Sequence, residues 1–548
     1  MASNTVSGQA PGNSSSGVKQ HLPLLIVLMV GLFLAILNQT LLNVALPHIT
    51  NEFNITTNTA QWLLTGYMLV NGILIPLSAF LIDRFGVRLL FLAAMFCFTL
   101  GALVCSLADN FSVMLIGRLI QAVGGGVLSP LVMSVILFIF PPEMRGKGMG
   151  IFGLAMMFAP AVGPTLSGWV VQNYDWHLLF TGMIPPGIIV FIVALFKLRN
   201  IEEAKKIQLD YLGTISSLAG VGLLLYGLSE AGTKGWGDIT VSGCIVVGVV
   251  IIAFFVIWEI RSRNPLLNMG VFRFGIFSLS NVINALVTAS MYAGMLLLPL
   301  YLQNLRGFTP LESGLLMLPG ALVMLIMSPI SGILFDKIGP RPLAIIGMLI
   351  TTVTTYYFTK LTMDSTYSYI LVLYMVRFFG MSFLMMPIMT AGMNQLPRDL
   401  NKHGTAMSNT LRQVSGSIGT SVITTIFTNR TTFHAAAYSD RLNTTDPQFM
   451  QSFTDLVNRI VQTTHLPLAQ AQTQAATLLG TQVKMEATVQ GINDAFFWAT
   501  IISIFGLVLS FFLRDVRKDK PKAAAVQETV NEPEILMLPA PRETAQNH

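Results

Sequence analysis

The stretch Leu115-Ile-Gly-Arg-Leu-Ile-Gln-Ala-Val-Gly-Gly-Gly-Val-Leu-Ser-Pro130 decides how the rest of the chain is read. Arg118 stands here inside an apolar run that extends from Phe111 to about Phe140. At about 1.5 Å per residue, such a run is long enough to cross a bilayer as a helix. An arginine at that depth is costly and requires a polar partner or a wet cavity. Gln121 follows one helical turn later and shares its face. The glycines at 124, 125 and 126 let a neighbouring backbone come close. The stretch reads as part of a translocation path inside a membrane.

Composition agrees. Of 548 residues, 53% are apolar and only 11% charged, whereas soluble domains carry about 25% charged residues. The net charge is +6, but the basic residues fall between hydrophobic runs. A nucleic-acid-binding protein would gather them on one face, so no nucleic-acid partner is expected. Cys97, Cys105 and Cys244 lie in or beside apolar runs, without the spacing of a metal site or a disulfide framework. No GxxxxGK[ST] nucleotide loop is present, and no soluble catalytic domain is visible.

Outward from Arg118, fourteen membrane spans are predicted. They fall near residues 22–46, 60–82, 89–108, 111–140, 148–172, 178–197, 209–229, 239–259, 274–300, 311–335, 342–361, 367–390, 404–428 and 492–513. The first is too long for a signal-peptide core and stays in the protein. With both termini in the cytoplasm, inner segments hold Arg84, Arg88, Arg145, Lys147, Lys205, Lys206, Arg263, Lys337, Arg341, Arg398 and Lys402, among others. Short outer loops hold only Lys234, Arg306 and Lys360. That asymmetry follows the positive-inside rule, and an odd number of spans would break it. Residues 1–20 and 514–548 read as polar tails, and 429–491 as an outer segment of short helices, either a lid or an ordinary exposed insertion.

An internal repeat organises the spans. Asp83-Arg-Phe-Gly-Val-Arg88 and Asp336-Lys-Ile-Gly-Pro-Arg341 lie 253 residues apart; Arg118 and Arg377 lie 259 apart. Two homologous six-helix halves (21–200 and 266–513) with two inserted helices between them (201–265) explain these offsets. Such halves rock about a central site. Asp83 and Asp336, with Arg84, Gly86, Arg88, Gly339 and Arg341, read as gating turns. Each aspartate can accept hydrogen bonds from a neighbouring helix N-terminus and so latch the inner side.

The candidate path combines Arg118 and Gln121 with Asn38 and Asn43 on the first span, Tyr67 and Asn71 on the second, and Asn284 and Tyr292 on the ninth. Arg412 adds a polar group from the second half. Asn38 and Asn43 either touch substrate or join the first and fourth spans. Arg118 keeps its proton, so it suits organising carbonyls or holding a carboxylate rather than carrying a proton. The fifth span, with Gly163, Pro164 and Gly168 among its small residues and prolines, reads as a pivot.

These motifs resemble the major facilitator superfamily in its 14-spanner drug:proton antiporter branch (EmrB/QacA-like). The resemblance rests on Ala79-Phe-Leu-Ile-Asp83-Arg-Phe-Gly-Val-Arg88, on Leu115-Ile-Gly-Arg118 through Gly126, on Ala159-Pro-Ala-Val-Gly163-Pro164-Thr-Leu-Ser167-Gly168, and on Leu37-Asn38-Gln-Thr-Leu-Leu-Asn43-Val-Ala-Leu-Pro47. It covers nearly everything from Leu22 to Leu513. It implies an all-α polytopic membrane protein of the major facilitator fold and proton-coupled efflux of amphipathic small molecules, with no cofactor beyond the proton gradient. It also implies that a monomer can contain the full path. One departure stands out: the family commonly has aspartate where this chain has Asn38, and an amide cannot carry a proton near neutral pH. Glu230 and Glu312, nearer helix ends, then become coupling candidates. Loss of the fixed anion favours neutral, zwitterionic or anionic amphiphiles at least as much as dications. The alternative within transport is export or flipping of a native lipid or conjugate.

Overall fold

The computed structural model describes residues 14–200, 208–262, 265–441 and 447–514. Residues 1–13 and 515–548 of the expected tails, and the basic positions Lys205, Lys206 and Arg263, lie outside the described residues. The first half contains α1 (Ser14–Glu52), α2 (Thr57–Leu74), α3 (Ser78–Ser106), α4 (Phe111–Ile139), α5 (Arg145–Asn173), α6 (Leu178–Thr181) and α7 (Ile184–Lys197). Next comes a helix pair, α8 (Tyr211–Lys234) and α9 (Ile239–Arg261). The second half contains α10 (Gly275–Leu300), α11 (Pro310–Ile338), α12 (Pro340–Phe358), α13 (Tyr367–Ser382), α14 (Met385–Asn394), α15 (Asn401–Arg441), α16 (Pro447–Thr464) and α17 (Leu468–Ser510).

Short polar side chains begin these helices by taking up otherwise unpaired amides. Asn110 accepts from the Val113 N–H at 3.0 Å, Asp210 from Gly213 at 2.9 Å, and Asp238 from Thr240 at 2.8 Å. Thr309 and Glu312 form a reciprocal capping box at the start of α11. The internal repeat reappears in the backbone. Gly86 breaks the helix inside α3 at φ 73°, and Gly339 separates α11 from α12 at φ 84°. Glycine adopts this conformation at no steric cost, which is why it recurs at the same place in both halves.

Eleven helical segments among the described residues are long and apolar enough to cross a bilayer, so the protein is a multi-pass membrane protein. The stretches expected at 60–82, 342–361 and 404–428 are also helical but do not reach that mark. Several of their hydroxyls bond back to the helix's own carbonyls. On α12 the Thr354 hydroxyl donates to the Ile350 carbonyl at 2.8 Å, and on α15 Thr405 donates to Asn401 at 2.7 Å.

The halves meet along two seams. On one side α5 packs lengthwise against α11, with Gly150 against Ser328 and Pro329, and Gly168 against Leu311. On the other side α8 fills the gap between α2 and α15. Gly72 of α2 touches Leu225 of α8, Trp62 stacks on Tyr226 at 5.7 Å, and Gly232 of α8 touches Thr424 of α15. α8 thus seals this seam.

The segment 429–491 departs from the expected short helices. Instead α15 and α17, of 41 and 43 residues, run on past the bundle. At about 1.5 Å per residue each is about 60 Å long, twice the hydrocarbon thickness. Val457 and Ile460 of α16 pack on Ala471 and Ala475 of α17, giving this extension its own small core. The amphipathic pattern at 449–461 reflects that contact.

Candidate functional site

Arg118 is fully buried on α4. Its Nη1 donates to Asn38 Oδ1 at 2.6 Å and to Gln121 Oε1 at 3.1 Å, and its Nε donates to the Leu63 carbonyl at 3.4 Å. The guanidinium lies 4.4 Å over the Tyr67 ring, a cation–π contact. The cation is therefore held by amides, a carbonyl and an aromatic face, with no carboxylate partner among the described residues. Nη2 of Arg118, Nδ2 of Asn38 and Nε2 of Gln121 are buried without hydrogen-bond partners.

The triple glycine explains how this cluster assembles. A Cβ on Gly124 would collide with the Ala94 carbonyl of α3, one on Gly125 would lie 2.5 Å from the Tyr67 hydroxyl, and one on Gly126 would lie 2.9 Å from the Asn71 carbonyl. The three glycines thus admit α3 and α2 to opposite flanks of α4. In the second half, Arg377 repeats the pattern: it is 1% exposed, and its Nη2 donates to the Ser290 carbonyl at 2.6 Å.

Arg412 sits at the meeting of the halves. Its Nη2 donates to Asn409 Oδ1 at 3.0 Å, and Ser129 of α4 donates to the same oxygen at 3.1 Å. Asn409 reaches Met133 Sδ at 3.7 Å, and Gly416 makes room for the Tyr292 ring. Gln413 approaches Gly72 of α2. Arg412, Gln413, Tyr292, Asn71 and Met156 are only half-buried, unlike the sealed Arg118 cluster. Asn284 is half-buried on α10, and the side chain of Asn43 lies outside what is described.

One end of the bundle is closed by polar contacts between the halves. Asp336 accepts from the N–H groups of Gly146 at 3.0 Å and Lys147 at 3.1 Å, at the N-terminus of α5. Asp83 pairs with Lys402 of α15 at 2.5 Å. Arg145 donates to Asn394 Oδ1 at 3.2 Å, and Ser328 donates to the Gly150 carbonyl at 2.9 Å. The matched aspartates are therefore held differently: Asp336 accepts from a helix N-terminus, whereas Asp83 pairs with a lysine. Arg88 instead braces the Gly86 turn, donating to the Leu195 carbonyl at 2.9 Å. Arg84 and Arg341 are exposed beside the latch.

The remaining sequence candidates have local partners. Glu230 forms an i,i+4 ion pair with Lys234 at 3.0 Å. Glu312 accepts from the Thr309 N–H at 2.8 Å within its capping box. Gly163 packs against Thr40, Gly168 against Leu311, and Pro164 lies between them, so α5 is wedged between α1 and α11. Sequence reasoning passed over Arg145, Asn394, Lys402 and Asn409. Arg145 and Lys402 entered it only as topogenic charges, and Asn409 only as part of the span expected at 404–428. No cluster of three or more metal-ligating side chains occurs among the described residues.

Two repeated helical halves, a polar seam between them and a latch at one end define a membrane transporter rather than an enzyme. The chain belongs to the Major Facilitator Superfamily, whose family model matches residues 28–420. It is 60% identical over 529 residues to an uncharacterised MFS-type transporter, YhcA, of Bacillus subtilis (strain 168), covering 96% of this chain and 98% of that one. It is 37% identical over 500 residues to the lincomycin resistance protein LmrB of the same organism, covering 91% and 97%. Among solved structures, the human organic anion transporter MFSD10 (TETRAN) matches with a TM-score of 0.58 at 12% identity, over 92% of this chain and 100% of that one. That likeness speaks for the fold.

Proposed function

We propose that this protein exports amphipathic small molecules across the cytoplasmic membrane in exchange for protons, by alternating access. The observation that carries the reading is the seam of Ser129, Asn409, Arg412 and Tyr292, contributed by both halves and lying beyond the latch, in which Asn409 is buried and the other three are half-buried. Methionines such as Met133 and Met156 suit an adaptable apolar wall there. Relatives named for lincomycin resistance support a drug-like substrate. The three shorter or more polar helical segments complete fourteen spans, the 12+2 pattern of the EmrB/QacA-like branch. The latch end carries Arg84, Lys147, Lys337 and Lys402, which fits a cytoplasmic face and both termini inside. The latched conformation then faces outward, and separation of Asp83 from Lys402 and of Asp336 from α5 opens it inward.

The test is transport by purified protein in proteoliposomes under imposed pH gradients, with a panel of neutral, zwitterionic, anionic and cationic drugs that includes lincomycin. Flux that follows the pH gradient supports antiport. Flux indifferent to it removes the proton from the mechanism, and no flux of any panel member removes drug export.

A further inference from the structure

A pair of carboxylates near the latch end of the inserted helices is left unused by this path. Glu259 is 2% exposed, although α9 turns most of its surface away from the protein. Its Oε2 accepts from the Leu267 N–H at 3.1 Å. Its Oε1 is buried and has no hydrogen-bond partner. Asp210, the N-cap of α8, stands beside it: Glu259 Oε1 and Asp210 Oδ2 both border the point where a Cβ on Gly213 would lie. Both oxygens of Asp210 are already supplied with donors. Oδ1 takes the Gly213 N–H at 2.9 Å, and Oδ2 takes the Trp258 indole N–H at 2.8 Å.

Among the described residues, only α8 and the turn Met269–Arg273 pack closely on α9. The charged group that α8 brings to Glu259 is Asp210; the segment leading to the turn brings the backbone of Leu266 and Leu267. No cation among the described residues faces the pair. A neighbouring carboxylate disfavours the charged form of a second one, and a buried charge without a partner is neutralised instead. Asp210 has the donors to remain an anion. Glu259 has a vacant oxygen that a proton would satisfy.

We propose that Glu259 is a proton-binding site, holding the proton on Oε1 beside Asp210, and that its occupancy is relayed to the latch. The relay is short. Leu267 hangs on Glu259, and the next N–H, that of Asn268, donates to His403 Nδ1 at 3.3 Å. His403 adjoins Lys402, the partner of Asp83. Loss of the proton makes Glu259 a stronger acceptor for the Leu267 N–H and sets it against Asp210, so the segment 265–268 shifts against α15. This deepens the antiport reading, and the relay to transport rests on it.

Infrared spectroscopy of the purified full chain tests the site without a substrate. The wild type should show a protonated-carboxyl C=O band that is lost in Glu259→Gln and kept in Glu230→Gln and Glu312→Gln. Asp210→Asn, which changes the neighbour, should shift that band and gives a second reading if Glu259→Gln folds poorly. No band lost in Glu259→Gln and no shift in Asp210→Asn would overturn the site. Spin labels replacing Arg84 and Asp399 then report the relay: their separation should change with pH and stop doing so in Glu259→Gln, with Glu259→Asp restoring it. A pH response unchanged in Glu259→Gln overturns the relay. In proteoliposomes, a panel drug driven by the pH gradient in the wild type should lose that stimulation in Glu259→Gln while exchange without a gradient persists. Equal stimulation in both sinks the coupling role alone. A wild type indifferent to the gradient sinks the antiport reading and leaves the infrared result to stand.

Discussion

Replacing Asn38 by leucine removes the shortest acceptor from a fully buried cation. Arg118 makes three hydrogen bonds, to Asn38 at 2.6 Å, Gln121 at 3.1 Å and Leu63 at 3.4 Å. A hydrogen bond to a charged group contributes about 1.5–3 kcal/mol. Leucine keeps the branching of asparagine and opens no cavity, so the lost bond dominates and the added bulk can only deepen the loss. Nη2 already lacks a partner, and no carboxylate among the described residues pairs with Arg118. Asn38→Leu should therefore destabilise the protein by about 1.5–3 kcal/mol. Asn38→Asp should differ in sign. At an effective dielectric of 20, unit charges about 4 Å apart attract by about 4 kcal/mol, and desolvation of the new carboxylate offsets much of that. The aspartate variant should thus be at least as stable as the wild type. Reversible unfolding in mixed micelles measures both. Equal stability of Asn38→Leu and the wild type would refute the claim that Asn38 holds Arg118 in place.

Three further outcomes follow from the same geometry. Asn38→Asp should also move drug preference toward cations, read as the ratio of cationic to neutral flux in proteoliposomes; an unchanged ratio means Asn38 does not face the path. Gly124→Ala drives a methyl against the Ala94 backbone and should cost about 1–3 kcal/mol, seen as lost folded yield, whereas Gly480→Ala, with open space around it, should be silent. Glu312→Gln should keep transport and Glu312→Ala should lower stability by about 1 kcal/mol, because the side chain caps α11; loss of gradient-driven flux in Glu312→Gln at full stability would make it a coupling residue instead.

The sequence revealed the parts of this fold that are periodic or repeated. The 253-residue offset of Asp83 and Asp336 foretold the paired glycine turns at Gly86 and Gly339, because a positive φ demands the same residue in both halves. The pairing of Arg118 with Gln121 was legible from helical spacing. The bond from Arg118 to Asn38, 80 residues away, had been one of two readings for that asparagine. The rest depended on tertiary placement. Lys402 looks like any loop lysine until α15 brings it to Asp83. Asn409 looks like filler in a Ser/Thr-rich span until Ser129 meets it from the other half. Glu259 ends an apolar helix like a solvent-facing acid, and only the fold of residues 265–268 beneath it buries it. The continuation of α15 and α17 beyond the bundle was hidden because polar, Gln- and Thr-rich helices carry no membrane signal.

The central claim is that the two halves rock about the Arg412 seam. Electron–electron distance measurements on two pairs of spin labels address it directly, one pair replacing Arg84 and Asp399 at the latch end and the other replacing Asp109 and Asp364 at the opposite end. On adding a transported drug or changing pH, the first separation should widen as the second narrows. Distances that stay fixed at both ends, or that widen together, would contradict the account.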